Sequence, residues 1–386
     1  MRNKTRYKIY GLIILLLLLF KVPLHAQTDF SLTYYLIRDD NSFNNRNVYD
    51  ELINTFSLYT GHTFSGNSSL LRLYYAGDYS KYTEYKDRQN SSHRIGFAVN
   101  PYTSENKAFN LGGSASIRRN KGDYIYYNVD VYNFYANFRY EPDLTKIYTF
   151  GLNLKKNKFK VFSYIDNLEY RFWSRYQQFF QIRLSLMGEI GLGVKDYFNQ
   201  KRTSFFGFTP GLQEPNARYI EEPVNAILFS SIVNIGKSLT TKTGINLRLG
   251  GQWYISDPIE TFVDGVYYYT ENDLYDDPYG YENLSASINL TRLFAVGFQG
   301  KIGVEYQKKD YRGTPALTID GELSGDYRKD TRADYHFLIS KTFNTGWSLP
   351  RAIDGFFRFL IRDNGSNDVY YDYFDHLALV GITLKR

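Results

Sequence analysis

The sequence predicts an all-β fold, a transmembrane antiparallel up-and-down β-barrel of about sixteen strands, with fourteen to eighteen as the range. Three observations carry this. Long runs alternate apolar and polar residues. A single strongly apolar run sits at the N-terminus. The connections between the alternating runs are long on one side and short on the other.

The alternation comes first because it decides the secondary structure. In 182–194, Ile182, Leu184, Leu186, Ile190, Leu192 and Val194 share one face, and Arg183, Ser185, Glu189, Gly191 and Gly193 share the other. In 245–255, Ile245, Leu247, Leu249 and Trp253 alternate with Asn246, Arg248, Gly250 and Gln252. In 296–306, Val296, Phe298, Ile302 and Val304 alternate with Gly297, Gln299, Lys301, Gly303 and Glu305. Successive strand side chains point to opposite faces, so each run has a greasy side and a polar side. Strands of soluble proteins are typically ~5–6 residues long. A tilted membrane-crossing strand needs ~9–11, the length seen here. In lipid every backbone donor and acceptor must be paired, which strands achieve only in a closed barrel. A soluble periplasmic β-protein is the competing expectation.

The apolar run Leu12 to Phe20 follows Arg2, Lys4, Arg6 and Lys8 and precedes Leu24-His25-Ala26. A basic stretch, a short apolar stretch and a small residue before the cut describe a secretory signal peptide over residues 1–26. The barrel is then residues 27–386, beginning at Gln27. Removing five of the 46 Lys and Arg and none of the 40 Asp and Glu leaves 41 against 40, a formal charge of +1. The basic balance of the whole chain therefore belongs to the leader and is no nucleic-acid footprint. Without cysteine there is no disulfide framework and no thiol chemistry.

Strands are expected near 31–38, 51–62, 69–78, 92–100, 108–118, 123–140, 146–156, 161–173, 179–197, 223–236, 242–256, 281–291, 295–309, 332–342, 353–362 and 371–385. With both ends periplasmic, the longest connections, 198–222, 257–280, 310–331 and 79–91, all fall on the outer side. Outer-membrane barrels have this asymmetry. Trp173, Trp253 and Trp347, with Tyr124-Ile125-Tyr126-Tyr127 and Tyr370-Tyr371-Asp372-Tyr373, are expected near strand ends as interfacial girdles.

Chemistry-bearing motifs are sparse. The glycines of 188–195 lie inside an alternating strand with no helix behind them, so they are not a phosphate loop. His62, His93, His336 and His376 have no metal-ligand spacing, and no local signature marks a nucleophile. No enzyme and no cofactor are expected; His336 or His376 would be the base of a lipid-active alternative. Loop 257–280 carries seven carboxylates and no Lys or Arg, read as a solvated acidic rim. Lys155, Lys156, Lys158 and Lys160 form a basic outer turn facing solvent or lipid phosphates. Arg183, Glu189, Arg248, Gln252, Gln299, Lys301 and Glu305 are expected to line the lumen, because charge must face water or pair across strands. Their mixed signs predict a polar lumen without strong ion selectivity. Ile37 to Ser42 and Ile361 to Ser366 are nearly alike and belong to the first and last hairpins. Asp39, Asp40, Asp363 and Asp368 are therefore expected to share an outer rim at the seam.

Asp330-Thr-Arg332-Ala-Asp334, Ser340-Lys341-Thr342-Phe343, Phe359 to Asp368, Tyr371-Asp372-Tyr373 and the closing Gly381 to Leu384 resemble the terminal hairpins of surface lipoprotein assembly modifier barrels. Asp39 to Phe43 is similar to their first hairpin. The resemblance covers about a fifth of the chain. It implies export or assembly at the surface, with an exported polymer or lipoprotein as partner. The helical-repeat domain of that group is absent, and Arg386 stands where such barrels end in an aromatic residue.

These readings converge on the outer membrane of a Gram-negative bacterium, reached after cleavage near Ala26. The expected partners are outer-membrane lipid, lipopolysaccharide and the barrel-insertion machinery, with no nucleic acid. The expected function is a channel for solute passage or surface export. The alternative is a structural or adhesive barrel whose outer loops bind a glycan or surface partner.

Overall fold

The computed structural model describes residues 25–66, 69–161, 163, 166–198, 202–204, 218–220, 224–256, 278–347 and 350–386. Residues 1–24, within the segment read above as a signal peptide, and the acidic stretch 257–277 lie outside these residues, as does most of 198–222.

Sixteen strands close into one antiparallel barrel. They are β1 (His25–Asp39), β2 (Glu51–Ser65), β3 (Leu70–Tyr82), β4 (Asn90–Thr103), β5 (Lys107–Asn120), β6 (Val129–Asp143), β7 (Lys146–Phe159), β8 (Asn167–Phe180) and β9 (Leu184–Tyr197). After the short β10 (Arg202–Ser204) and β11 (Arg218–Ile220), which pair only with each other, come β12 (Val224–Ser238), β13 (Thr243–Tyr254), β14 (Glu282–Leu293) and β15 (Phe298–Leu317). The barrel ends with β16 (Leu323–Asn344), β17 (Ala352–Ser366) and β18 (Tyr373–Lys385). Each barrel strand pairs with its neighbours in sequence, β9 pairs with β12, and β1 pairs with β18 to close the ring.

All sixteen expected strands are present, and their connections alternate in length as expected. One end of the barrel has tight connections such as 104–106 and 144–145; the other has 40–50, 198–223 and 255–281. Four readings need correction. Residues 310–331 are not an open loop, because β15 and β16 continue as a long hairpin beyond the ring. The first part of 123–140 is a 3-10 turn, Gly122–Tyr127, and not strand. Val296 and Gly297 both adopt positive φ, 64° and 79°, and turn the chain between β14 and β15. Trp173 lies mid-strand in β8 facing inward, not in a girdle.

The faces follow the register. On β14, Leu284, Ala286 and Ile288 point outward while Ser285, Ser287 and Asn289 point inward, toward a cavity. Leu284 is 54 % and Ile302 51 % exposed, two members of an apolar band around the outside. A soluble protein hides such a surface; hydrocarbon accepts it. Inside, bulky rings are accommodated opposite glycines: Trp173 pairs with Gly151 and Phe356 with Gly381, and a methyl group on either glycine would collide with the ring. Gly151→Val and Gly381→Val should therefore each destabilise the barrel by about 1–3 kcal/mol, the usual cost of overpacking. Urea unfolding in detergent micelles checks this; unchanged midpoints for both would contradict the packing.

Candidate functional site

The lumen is the candidate site, and it has two parts. Beneath the outer end lies a cavity of about 860 Å³ bounded by β1 and β12 to β18. Its polar lining includes Arg248, Lys301, Glu305, His336 and Arg358, with Asn234, Asn246 and Asn289. Asn289 Oδ1 lies 2.7 Å from His336 Nε2, fixing that ring across β14 and β16. Arg362 pairs with Asp334 at 3.1 Å, and Glu305 accepts from the Gln307 amide. Among the described residues, Arg248, Lys301 and Arg358 have no carboxylate within ion-pair distance. The cavity thus holds three unpaired cations against Glu305.

Beside the cavity along the ring, Glu189 on β9 is held by Arg171 at 3.1 Å and by Arg175 at 2.6 Å, both from β8. Two guanidiniums around one buried carboxylate leave a net positive charge there as well.

The second part is a collar at the outer end. Tyr82, Tyr127, Tyr197, Tyr281, Tyr311 and Tyr373 are buried, each at or just beyond the outer end of a strand. Cations stack on several of these rings and their neighbours. Arg88 lies 4.1 Å from the Phe43 ring centre and 4.9 Å from that of Tyr82. Arg118 sits over Tyr127, Lys309 over Tyr281 at 4.3 Å, and Arg328 over Tyr311 at 4.3 Å and Tyr371 at 3.2 Å. Lys195 lies between Tyr197 and Tyr279, at 5.0 and 5.3 Å. A cation over an aromatic face gains ~0.5–1 kcal/mol when exposed and ~2 when desolvated. The collar is therefore a packed structure in which cations lie against ring faces, with Arg328 also paired to Asp330.

Connections complete it by folding inward. Glu51 accepts backbone N–H groups of Thr83 (2.7 Å), Glu84 (3.0 Å) and Tyr85 (3.0 Å), which binds the connection 83–89 to the base of 40–50. Arg88 donates to Ser42 Oγ and to the Ser42 carbonyl at 3.0 and 2.9 Å, locking the same two segments from above. Tyr279, only 3 % exposed, packs with Tyr197, Ala226 and Leu228 and donates to Glu169 at 3.3 Å. Gln252 holds the end of that connection by donating to the carbonyls of Pro278 and Tyr281, each at 3.0 Å.

Of the residues expected to line the lumen, Arg248, Lys301 and Glu305 border the cavity, and Glu189 faces the lumen beside it, on the strand next to β12. Gln252 faces in near the collar, and Gln299 lies one inward step from Lys301 toward the short-turn end. Arg183 does not line the lumen. It is exposed in the turn between β8 and β9, with φ of 56°. Among the rim carboxylates, Asp40 meets His376 twice at 2.6 Å and Asp39 lies beside them. Asp368 accepts from Tyr370 N at 3.0 Å and Leu317 N at 3.2 Å, tying two connections together. Burial pushes the Asp368 carboxyl above its ordinary range despite those bonds. Asp363 is not part of the rim; it is exposed on the outward face of β17. The seam is shared instead by Asn44 with Arg362 (3.0 Å), Arg46 with Tyr370 (3.0 Å), and Asn41 with Phe374 (3.3 Å). Arg358 escaped the sequence reading because its inward neighbours Phe356 and Leu360 are as apolar as the outward face of β17. Tyr127 and Tyr373, read as girdle residues, belong to the collar.

No family model and no curated protein matches the sequence. Solved structures match the fold. OccAB1 of Acinetobacter baumannii superposes with a TM-score of 0.53 at 10 % identity, over 93 % of this chain and 96 % of that one. OpdK of Pseudomonas aeruginosa, solved with vanillate, gives 0.51 at 12 % identity over 94 % and 99 %. An OccD1 (OprD) variant gives 0.51 at 10 % over 94 % and 95 %. The likeness is to these barrels and not to surface lipoprotein assembly modifiers, so what stands from that resemblance is the outer-membrane barrel itself. Truncating the ring packed over Tyr197, Ala226 and Leu228 should open space at the outer end of the lumen: Tyr279→Ala should raise whatever single-channel conductance the unaltered protein shows in planar bilayers. Unchanged conductance in a folded variant would contradict an obstructing role. The chain has the fold of a 16-strand outer-membrane barrel.

Proposed function

We propose that this protein is an outer-membrane channel passing small hydrophilic solutes, with anions favoured. The observation that carries the reading is the polar cavity inside a closed 16-strand ring, bordered by Arg248, Lys301 and Arg358 against Glu305. A cleft lined by one sign of charge raises the local concentration of the opposite sign. This replaces the expectation of weak selectivity, because pairing removes most of the lumen carboxylates from the balance: Glu189 and Asp334 are each held by arginine. OpdK, OccAB1 and OccD1 (OprD) share the architecture, which supports the setting. No catalytic role is assigned: His336 is engaged by Asn289, and His376 by Asp40. Lys156, Lys158 and Lys160 extend the outer end of β7 and its connection, where the phosphates of outer-leaflet lipid would meet them.

The second reading is the structural or adhesive barrel, favoured by the packed tyrosine–cation collar. Export of a polymer or lipoprotein rests on the sequence resemblance alone.

Refolded protein in a planar bilayer with a salt gradient distinguishes these readings. The channel reading expects conductance steps and an anion-selective reversal potential. The double variant Lys301→Glu/Arg358→Glu should move the permeability ratio toward cations by roughly tenfold, the low end of what a charged cleft does to local ion concentration. Absence of conductance would leave the adhesive reading; cation selectivity of the unaltered protein would overturn the charge argument.

A further inference from the structure

The seam where the barrel closes carries chemistry that the lumen does not use. Asp39 ends β1, Asp40 follows it, and Asp375 lies on β18, 336 residues beyond Asp39 in a chain of 386. One carboxylate oxygen from each lies within 4.8 Å of the others. Asp39 is 9 % exposed and Asp375 2 %. Among the described residues, neither forms an ion pair. The nearby arginines are engaged elsewhere, Arg362 by Asp334 and Asn44, and Arg88 by Ser42 and two rings.

The partners of the three carboxylates differ. Asp40 is satisfied by the His376 amide and ring. Asp39 accepts the Asn41 amide at 3.0 Å. Asp375 Oδ1, fully buried, receives no donor at all. A buried carboxylate oxygen without a donor or counter-ion is expensive. It faces two further carboxylates, which makes the cost larger.

We propose that Asp39, Asp40 and Asp375 bind a hard divalent cation, Ca²⁺ being the one whose flexible all-oxygen shell such a carboxylate cluster suits, and that it fastens the closing seam. Ca²⁺ takes six to eight oxygen ligands at ~2.3–2.6 Å, so two ligands on opposite sides of the ion stand about 4.8 Å apart. The three oxygens lie within that limit of one another, so one ion could touch all three and leave its other positions to water. The consequence reaches the collar: Asp39 and Asp40 begin the connection 40–50, whose Ser42 holds Arg88.

The rival account is a proton shared among the three carboxylates, and it makes opposite predictions. The test uses the full mature chain, refolded in detergent and stripped with EDTA. Adding CaCl₂ should give one binding event by calorimetry, with Kd of about 10⁻⁵–10⁻³ M. It should also slow tryptic cleavage after Arg46, in the connection that the ion would pin. Asp375→Asn should lose Ca²⁺ affinity by at least tenfold while keeping its heat-resistant barrel on gels. Asp363→Asn, an exposed carboxylate of the neighbouring hairpin, should bind as the unaltered protein does. No Ca²⁺ binding up to millimolar concentration, or unchanged affinity in a folded Asp375→Asn, would overturn the proposal. Should that variant fail to fold, the unaltered protein decides: binding with slowed cleavage supports the site, and neither effect refutes it.

Discussion

Everything in this structure depends on pairing the backbone in a medium that offers no water. Each strand that enters hydrocarbon brings a row of N–H and C=O groups, each costing several kcal/mol if unpaired. A closed ring removes the last free edge. Here the closing pair is β1 with β18, matched from Ser31 opposite Lys385 to Asp39 opposite Leu377. With every neighbouring pair antiparallel, the closing one included, the strand number is even, and lipid-facing and lumen-facing side chains alternate along each strand. Sequence then has freedom mainly within the lumen and at the ends.

The lumen shows how that freedom is used. Buried charge is tolerated where it is paired or wet, so Glu189 carries two arginines and Arg362 carries Asp334, while Arg248, Lys301 and Arg358 face the cavity. At the outer end the same cost is met differently, by laying cations over tyrosine rings. The collar links several connections, and the contacts of Glu51 and Arg88 mean that 40–50 and 83–89 cannot move independently. On the proposed function, the collar would limit solute size and the cavity below it would set charge preference.

The strands were legible in the sequence because hydrocarbon on one side and water on the other force a strict two-residue period. Where that contrast ends, legibility ends too. Beyond the ring, the inner face of β15 and β16 packs on the collar through polar and aromatic side chains such as Tyr311, Arg328 and Asp330, so the apolar–polar alternation lapses and 310–331 read as a loop. Arg183 carried the right parity for the lumen, but a positive-φ turn intervenes before β9 and takes it out of the strand. On β17 the inward Phe356 and Leu360 fill space beside Gly381 and the cavity, hiding Arg358 in a run that looks apolar throughout. The collar was invisible because tyrosine at a strand end serves lipid headgroups or a packed mouth equally well, and only the register tells which way the ring points. The meeting of Asp39 with Asp375 depends on closure, which brings the two ends of the chain together; the similar sequences of the first and last hairpins pointed to that neighbourhood and to the wrong carboxylate, Asp363.

The central claim is that the apolar face of each alternating strand lies in lipid and the polar face in water. The chain contains no cysteine, so single cysteines placed along β14 from residue 284 to 289 give unique spin-labelling sites. In reconstituted vesicles, labels at Leu284, Ala286 and Ile288 should be relaxed by oxygen, and labels at Ser285, Ser287 and Asn289 by a water-soluble nickel chelate. Loss of that two-residue alternation, or labels shielded from both reagents on both faces, would contradict the account.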